Sequence, residues 1–243
     1  MTVTGMLASG LHYFPVTLPF LLALMGLLGL VVGMAALRVL RHASISMGIG
    51  VENLLAILSL SLLGSYINIP VAYLPERQTA TAAEISYFGV TYVIPVVHDF
   101  AATVLAVNVG GALIPIALSL YLIVKHQLFG PSVLGIAIVA AVCHLLARPV
   151  PGLGIAEPIL APTLTTAAVA VVLAGRRAGP LAYISGSLGT LIGADLLNLN
   201  KIQGLGAPIA SIGGAGTFDG IFITGLLAVL YAGLARQARA IDR

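Results

Sequence analysis

The stretch GTLIGADLLNLN, residues 189–200, places an aspartate, Asp195, near the end of an apolar run. A second stretch, SIGGAGTFDGIFITG at residues 211–225, does the same with Asp219. An ionisable side chain in an apolar helix usually faces the protein interior or a water-filled cavity, because contact with hydrocarbon is costly. The two carboxylates therefore predict a polar region enclosed by apolar helices.

The composition indicates that these helices lie in a membrane. Of 243 residues, 59% are hydrophobic and 8% are charged, whereas a soluble domain is about 25% charged. A soluble core of this size does not bury so much apolar surface. The bilayer is thus a predicted partner. Nucleic acid is not, because the basic residues lie at membrane edges and form no basic stripe.

Seven apolar stretches predict an all-α membrane protein with about seven transmembrane helices in one domain, residues 1–243. A helix of about 20 apolar residues crosses the bilayer with every backbone group paired internally. The predicted spans are residues 16–37, 50–70, 100–124, 131–148, 158–175, 181–199 and 217–235.

Two segments outside the spans have patterns of their own. Residues 69–97 are rich in β-branched and aromatic residues around a polar centre, which predicts a small β-hairpin on the extracytoplasmic side. Residues 201–216 are apolar but too rich in glycine for an ordinary helix, and they predict a re-entrant loop.

The basic residues predict the orientation. With seven spans, eight of them fall on one side of the membrane: Arg38, Arg41, Lys125, Arg176, Arg177, Arg236, Arg239 and Arg243. Three fall on the other: Arg77, Arg148 and Lys201. Because positively charged loops stay in the cytoplasm, we expect an N-terminus outside and a cytoplasmic C-terminus. The predicted location is the inner membrane of a prokaryotic cell.

Polar residues of several spans are predicted to lie at one depth. Counting about 1.5 Å per residue from the inner edge of each span places five of them about 20–27 Å above it. In a core about 30 Å thick, that is the outer third. The five are Asn68, Asn108, His144, Asp195 and Asp219, with Asn198 just above them. These six are the predicted ion- or substrate-binding residues.

The helix that carries Asp195 also has the means to pack closely. Ser185, Gly189 and Gly193 repeat at four-residue spacing, and small residues at that spacing let helix backbones approach. If this helix packs against the next one, Asp195 and Asp219 become neighbours.

Four residues of the predicted layer also have a structural interpretation. Asp195 is placed to mark the end of its span, and Asp219 to cap the start of the last span. Asn108 is placed to bond backbone exposed by the glycines and proline of VNVGGALIP. His144 is placed as a satisfied interior histidine. The shared depth is what favours a functional interpretation.

The layer favours binding or movement of a proton, a cation or a small polar solute, because intramembrane acids commonly form such sites. One alternative is intramembrane hydrolysis of a membrane peptide, with Asp195 and Asp219 as the catalytic carboxylates. Presenilin-like proteases carry Gly-x-Gly-Asp, whereas residues 214–219 read Gly-Ala-Gly-Thr-Phe-Asp.

Two further alternatives stay open. Asp195, Asp219 and His144 make a two-carboxylate, one-histidine set that suits a metal ion. The chain is also compatible with a non-catalytic subunit of a membrane complex. No cofactor is predicted, and the sequence does not decide whether the chain is an enzyme.

Three long strings give the chain a resemblance to a known family. They are VNVGGALIPIALSLYL at residues 107–122, GTLIGADLLNL at 189–199 and SIGGAGTFDGIFITG at 211–225, supported by residues 61–70 and 147–155. They resemble a group of bacterial and archaeal integral membrane proteins known as a domain of unknown function. The resemblance implies a polytopic membrane protein, and it implies no activity and no site residues.

Overall fold

The computed structural model describes residues 18–74, 77–87, 90–100, 103–150, 154–158, 160–202, 209–214 and 229–230. The chain divides into two compact units, residues 1–41 and 42–243. The described residues are mostly helical, with several apolar helices and a small sheet. Most of the predicted seventh span, residues 217–235, lies outside them, so the count of seven spans and the single-domain organisation stay predictions.

The first helix, α1 (Leu18–Met47), has 30 residues and extends beyond the predicted span of 16–37. Large apolar side chains are exposed all around its first half, among them Leu22, Met25 and Leu28. A helix that is apolar on every side is suited to the core of a large protein or to a membrane.

Two predicted spans are wrong at one end each: the C-terminal end of 50–70 and the N-terminal end of 100–124. The span predicted for 50–70 is helix α2 (Val51–Gly64) followed by strand β1 (Asn68–Leu74). The span predicted for 100–124 begins with strand β4 (Thr103–Asn108). The two strands pair antiparallel, with Asn68 opposite Asn108. Short apolar runs rich in Val and Ile fit a strand as well as a helix, and this pairing decides in favour of strands.

The predicted hairpin over 69–97 is present and is shifted toward the C-terminus, over residues 77–100. Strands β2 (Arg77–Tyr87) and β3 (Val90–Phe100) pair antiparallel along their length, and they stand between β1 and β4 in the sequence. Strand β7 (Ile209–Ile212) adds to β4 in parallel, which gives the order β1-β4-β7. Residues 209–212 of the predicted re-entrant loop are thus a strand, and entry of that loop into the membrane stays a prediction.

The remaining helices form a bundle around one central helix, α6. They are α3 (Ile114–His126), α4 (Phe129–Leu146), α5 (Leu160–Ala174) and α6 (Ala178–Thr190). Helix α6 packs against the other three, and nearly all of its residues are buried. Two short strands, β5 (Arg148–Val150) and β6 (Gly154–Ala156), pair between α4 and α5.

The α-helical geometry of α3 and of α6 is interrupted at one end, where each helix joins a π-helical turn. A π-helical turn, Val109–Leu113, precedes α3 directly after β4. A second π-helical turn, Leu191–Asp195, follows α6 and passes into a 3-10 segment, Leu196–Lys201. Single π-turns inside helices are rare and are frequent at functional sites.

The predicted stripe of small residues on α6 does allow close packing, and its partner is α4. A Cβ atom at Gly135 of α4 would lie 3.1 Å from the Cβ of Ser185. A Cβ atom at Gly193 would overlap the carbonyl oxygen of Ala140. Because contacts advance in the same direction along both helices, α4 and α6 run parallel. Gly189, between these positions, meets α4 equally closely.

Four helical runs among the described residues are long and apolar enough to cross a membrane: Leu21–Met47, Val109–His126, Phe129–Leu146 and Leu160–Lys201. The last run reverses at Gly175, where φ is 49° and a side chain would be strained. Helices α5 and α6 therefore pack along each other as a hairpin. These apolar helices suggest a membrane location.

Basic residues gather where α3 ends and α6 begins, at what we call the basic end. Lys125 Nζ donates a hydrogen bond to the carbonyl of Gly48 at 2.7 Å, and His126 Nε2 lies 3.0 Å from the carbonyl of Met47. Arg177 donates from Nη1 to the carbonyl of His126 at 2.7 Å. The sheet β1-β4-β7 and both helix interruptions lie at the opposite end of α3 and α6.

Candidate functional site

The first helix interruption is organised by Asn108, whose side chain is fully buried. Its Oδ1 accepts a hydrogen bond from the Gly111 amide at 2.7 Å, as an N-cap residue does. Its Nδ2 donates to the Ser65 carbonyl at 2.7 Å and to Asn68 Oδ1 at 3.0 Å. One amide side chain thus connects the end of α2, the start of β1 and the start of α3.

Two glycines allow the backbones to meet at this point. Ser61 Oγ donates to the carbonyl of Gly110 at 2.5 Å, and a Cβ atom at Gly110 would overlap the Ser61 carbonyl oxygen. A Cβ atom at Gly111 would overlap the carbonyl oxygen of Gly213. The glycines are therefore required by close backbone contact with α2 on one side and with the end of β7 on the other.

Asp195 is the last residue of the second π-helical turn, Leu191–Asp195, and its side chain connects this turn to the first one. Its Oδ2 accepts a hydrogen bond from the Gly213 amide at 2.7 Å, and the side chain is half-buried. Gly213, with φ at 88°, has the left-handed backbone that favours glycine. Because Gly213 also contacts Gly111, Asp195 is connected through one residue to the backbone that Asn108 caps.

Strand β7 adds another hydrogen bond to the same region, because Ser211 Oγ donates to Asn68 Oδ1 at 2.6 Å. We call this set the polar junction: Ser61, Ser65, Asn68, Asn108, Asp195 and Ser211. It offers carboxylate, amide, hydroxyl and backbone carbonyl oxygens, which are the groups that protons and hard cations prefer. Asp195 is its one acidic side chain.

Asn198, a predicted binding residue, has a structural task beside the polar junction. Its buried Nδ2 donates to the carbonyls of Gly193 at 2.8 Å and Ala194 at 3.0 Å. A change from α to π and 3-10 geometry leaves carbonyls without their usual helical partners, and this amide supplies partners. Lys201 Nζ in turn donates to Asn198 Oδ1 at 2.8 Å.

His144 takes no part in these hydrogen bonds within the described part of the chain. It lies in the last turn of α4, and its buried Nδ1 has no hydrogen-bond partner among the described residues. Its neighbour Cys143 faces α6, with Sγ 3.6 Å from Thr190 Oγ1. The structure thus places His144 on an adjoining helix and not in the polar junction.

Asp219 lies outside the described residues. Its pairing with Asp195, and the metal set of Asp195, Asp219 and His144, stay predictions. Among the residues that the structure does describe, no group of three or more His, Cys, Asp or Glu side chains is placed to hold a metal ion.

The structure brings together three of the predicted residues, Asn68, Asn108 and Asp195, in the polar junction. Their role in binding stays a prediction. The hydroxyls of Ser61, Ser65 and Ser211 are not among the residues that the sequence predicts. The signal for two of them was present, because Ser61 and Ser65 are four residues apart and so share one face of an apolar helix.

A comparison with protein families decides where the chain belongs. The model of a family described as a protein of unknown function, DUF1614, matches residues 62–231. The chain belongs to this family. The resemblance inferred from the three strings is confirmed, and the matched range includes every residue of the polar junction except Ser61. No curated protein and no solved structure matches the chain.

The hydrogen bonds of Asn108 generate a stability prediction. Asn108→Ala leaves the Gly111 amide and the Ser65 carbonyl without their partners in a buried position. We expect the free energy of unfolding to fall by about 1–3 kcal/mol for each group left unpaired. Thermal unfolding in detergent can be followed through Cys143, the only cysteine, which is fully buried and reacts with a thiol-sensitive fluorophore on unfolding.

The matched control is Asn53→Ala, because Asn53 is exposed on α2. This variant should unfold at the wild-type midpoint. An Asn108→Ala midpoint equal to that of Asn53→Ala would contradict the structural importance of the cap.

Proposed function

We propose that the protein is an integral membrane protein that binds and moves a proton, a cation or a small polar solute through the polar junction, with Asp195 as the central group. The observation that carries the proposal is the meeting, at one place, of the π-turn that begins the α3 run and the π-turn that follows α6, joined by the contact of Gly111 with Gly213. Helix ends and irregular helical turns at a buried polar site are a common feature of transporters.

The charge of Asp195 supports a positively charged ligand. Asp195 is the one carboxylate of the polar junction, whose other members are neutral amides and hydroxyls. A proton or a cation offsets its negative charge, whereas an anion adds to it. The Gly213 amide stabilises the carboxylate by its hydrogen bond.

The proposed setting is the inner membrane of a prokaryotic cell, with seven spans. Helices α1 and α4, α3 with its preceding π-turn, and the run that contains α5 and α6 are long and apolar enough for such crossings. Helix α2 has 14 residues, about 21 Å, and reaches across most of a core about 30 Å thick. Residues 217–235 would complete the set.

The contacts at the basic end support a cytoplasmic position for that end. Lys125 lies in the last turn of α3 and Arg177 in the 3-10 turn before α6, and both donate hydrogen bonds to neighbouring backbone carbonyls. Positively charged loops are retained in the cytoplasm. The polar junction then opens toward the outer side, with the N-terminus outside and the C-terminus inside.

The proposed function is tested by flux into liposomes. Asp195→Asn keeps the size of the side chain and removes its charge, so proton- or cation-driven flux should fall to the background of empty liposomes. Glu52→Gln, in the exposed first turn of α2, is the matched control and should retain flux. Undiminished flux in Asp195→Asn would overturn the proposal, and cleavage of a membrane peptide by the wild type would replace it with hydrolysis.

The proposed orientation is tested by thiol labelling in whole cells. Cys143→Ala removes the native thiol, and single cysteines are then introduced as Arg176→Cys at the basic end or Thr79→Cys in β2. An impermeant maleimide should label Thr79→Cys in intact cells. It should label Arg176→Cys only after the membrane is opened. The reverse pattern would show an inverted protein.

A further inference from the structure

An open apolar groove runs between α2 and α3, with a volume of about 440 Å³. Its walls include Ile57 and Ala56 of α2 and Ile114, Ala117 and Leu118 of α3. In water, an open groove with so few polar groups would be unfavourable. In a membrane protein the same surface faces acyl chains.

The groove has a length and a direction. It extends from Ile49, just before α2, to Ile57 of α2, and over residues 114–121 of α3. Eight residues of helix cover about 12 Å, which is close to one leaflet of a core about 30 Å thick. One end of the groove lies near the start of α3 and the polar junction. The other end lies at the basic end.

A cation closes the groove at the basic end. Lys125 Nζ lies 5.2 Å from the centre of the Tyr121 ring, which lines the groove, a distance typical of a cation–π contact. The same ammonium donates to the carbonyl of Gly48, next to the lining residue Ile49. Lys125 is exposed, and an ammonium has three N–H donors. It can therefore hold a phosphate oxygen while it keeps its bond to Gly48.

Other charges at the basic end favour an anion. Arg177 is exposed and bonded to the carbonyl of His126, the residue after Lys125, and Arg176 is adjacent. The carboxylate at this end among the described residues of α2 is Glu52, which is exposed and does not line the groove. The described cationic side chains thus outnumber the acidic one.

We propose that this groove binds an anionic phospholipid, with one acyl chain between α2 and α3 and the phosphate against Lys125. Charge complementarity identifies the occupant, because an apolar slot of leaflet length that ends at an exposed ammonium matches a chain with an anionic head. Basic pockets between membrane helices on the cytoplasmic side bind such lipids. The proposal rests on the membrane location in the proposed function, and it does not depend on transport.

The test is native mass spectrometry of the purified protein with an equimolar mixture of phosphatidylglycerol and phosphatidylcholine that have the same acyl chains. The wild type should retain phosphatidylglycerol about fivefold in preference, as one cation near an anionic head provides. Lys125→Gln should abolish the preference, and Lys125→Arg should keep it. Ala117→Trp fills the groove and should reduce retention of both lipids.

Two matched controls separate the groove from general effects. Leu120→Trp places the same tryptophan side chain on an exposed part of α3 that does not line the groove, and Lys201→Gln removes a charge at the other end. Both should behave as the wild type. Equal retention of the two lipids by the wild type, a preference that survives Lys125→Gln, or full retention in Ala117→Trp would each overturn the proposal.

Wild-type protein that retains neither lipid would also overturn it, because the groove would then be filled by protein. If the lipid test fails, the proposed function is still tested separately by the flux through Asp195→Asn and Glu52→Gln. A protein that is released from membranes by alkaline carbonate would instead overturn the proposed membrane location itself.

Discussion

The structure depends on how backbone groups are paired where a strand becomes a helix. At Asn108 the chain leaves the sheet and starts α3, and the first amides of a helix have no helical partner. In an apolar surrounding each unpaired group costs several kcal/mol. The buried side-chain amide of Asn108 accepts a hydrogen bond from the Gly111 amide, which would otherwise be unpaired. It also donates hydrogen bonds to the Ser65 carbonyl and to Asn68 Oδ1.

At the end of α6, side chains again form hydrogen bonds with backbone groups that have no helical partner. Asn198 donates to carbonyls that the π-turn after α6 leaves free, and Asp195 accepts from Gly213. Close packing of Gly193 on α4 holds this turn in place. Since Gly213 also contacts Gly111, Asp195 is connected through one residue to the start of α3.

Some of this arrangement could be predicted from the sequence. Asn68, Asn108 and Asp195 stand out because polar side chains are rare in apolar runs, and their depth places them together. The strand ends could not be predicted, because TVLAVN at 103–108 is equally compatible with a helix. The inward orientation of the Asn198 side chain could not be predicted either, because it depends on the π-turn. His144 shares the predicted depth, but its side chain takes no part in the polar junction. Depth could not predict this, because it carries no information on the direction of a side chain.

Hydrogen exchange at two glycine amides tests the central claim most directly. If Asn108 and Asp195 bind the amides of Gly111 and Gly213 as described, both amides should exchange as slowly as the buried amides of α6 when the protein is studied in nanodiscs by NMR. If both exchange as fast as the amides of exposed loop residues, the interrupted helices are not joined in this way, and the account of the polar junction is contradicted.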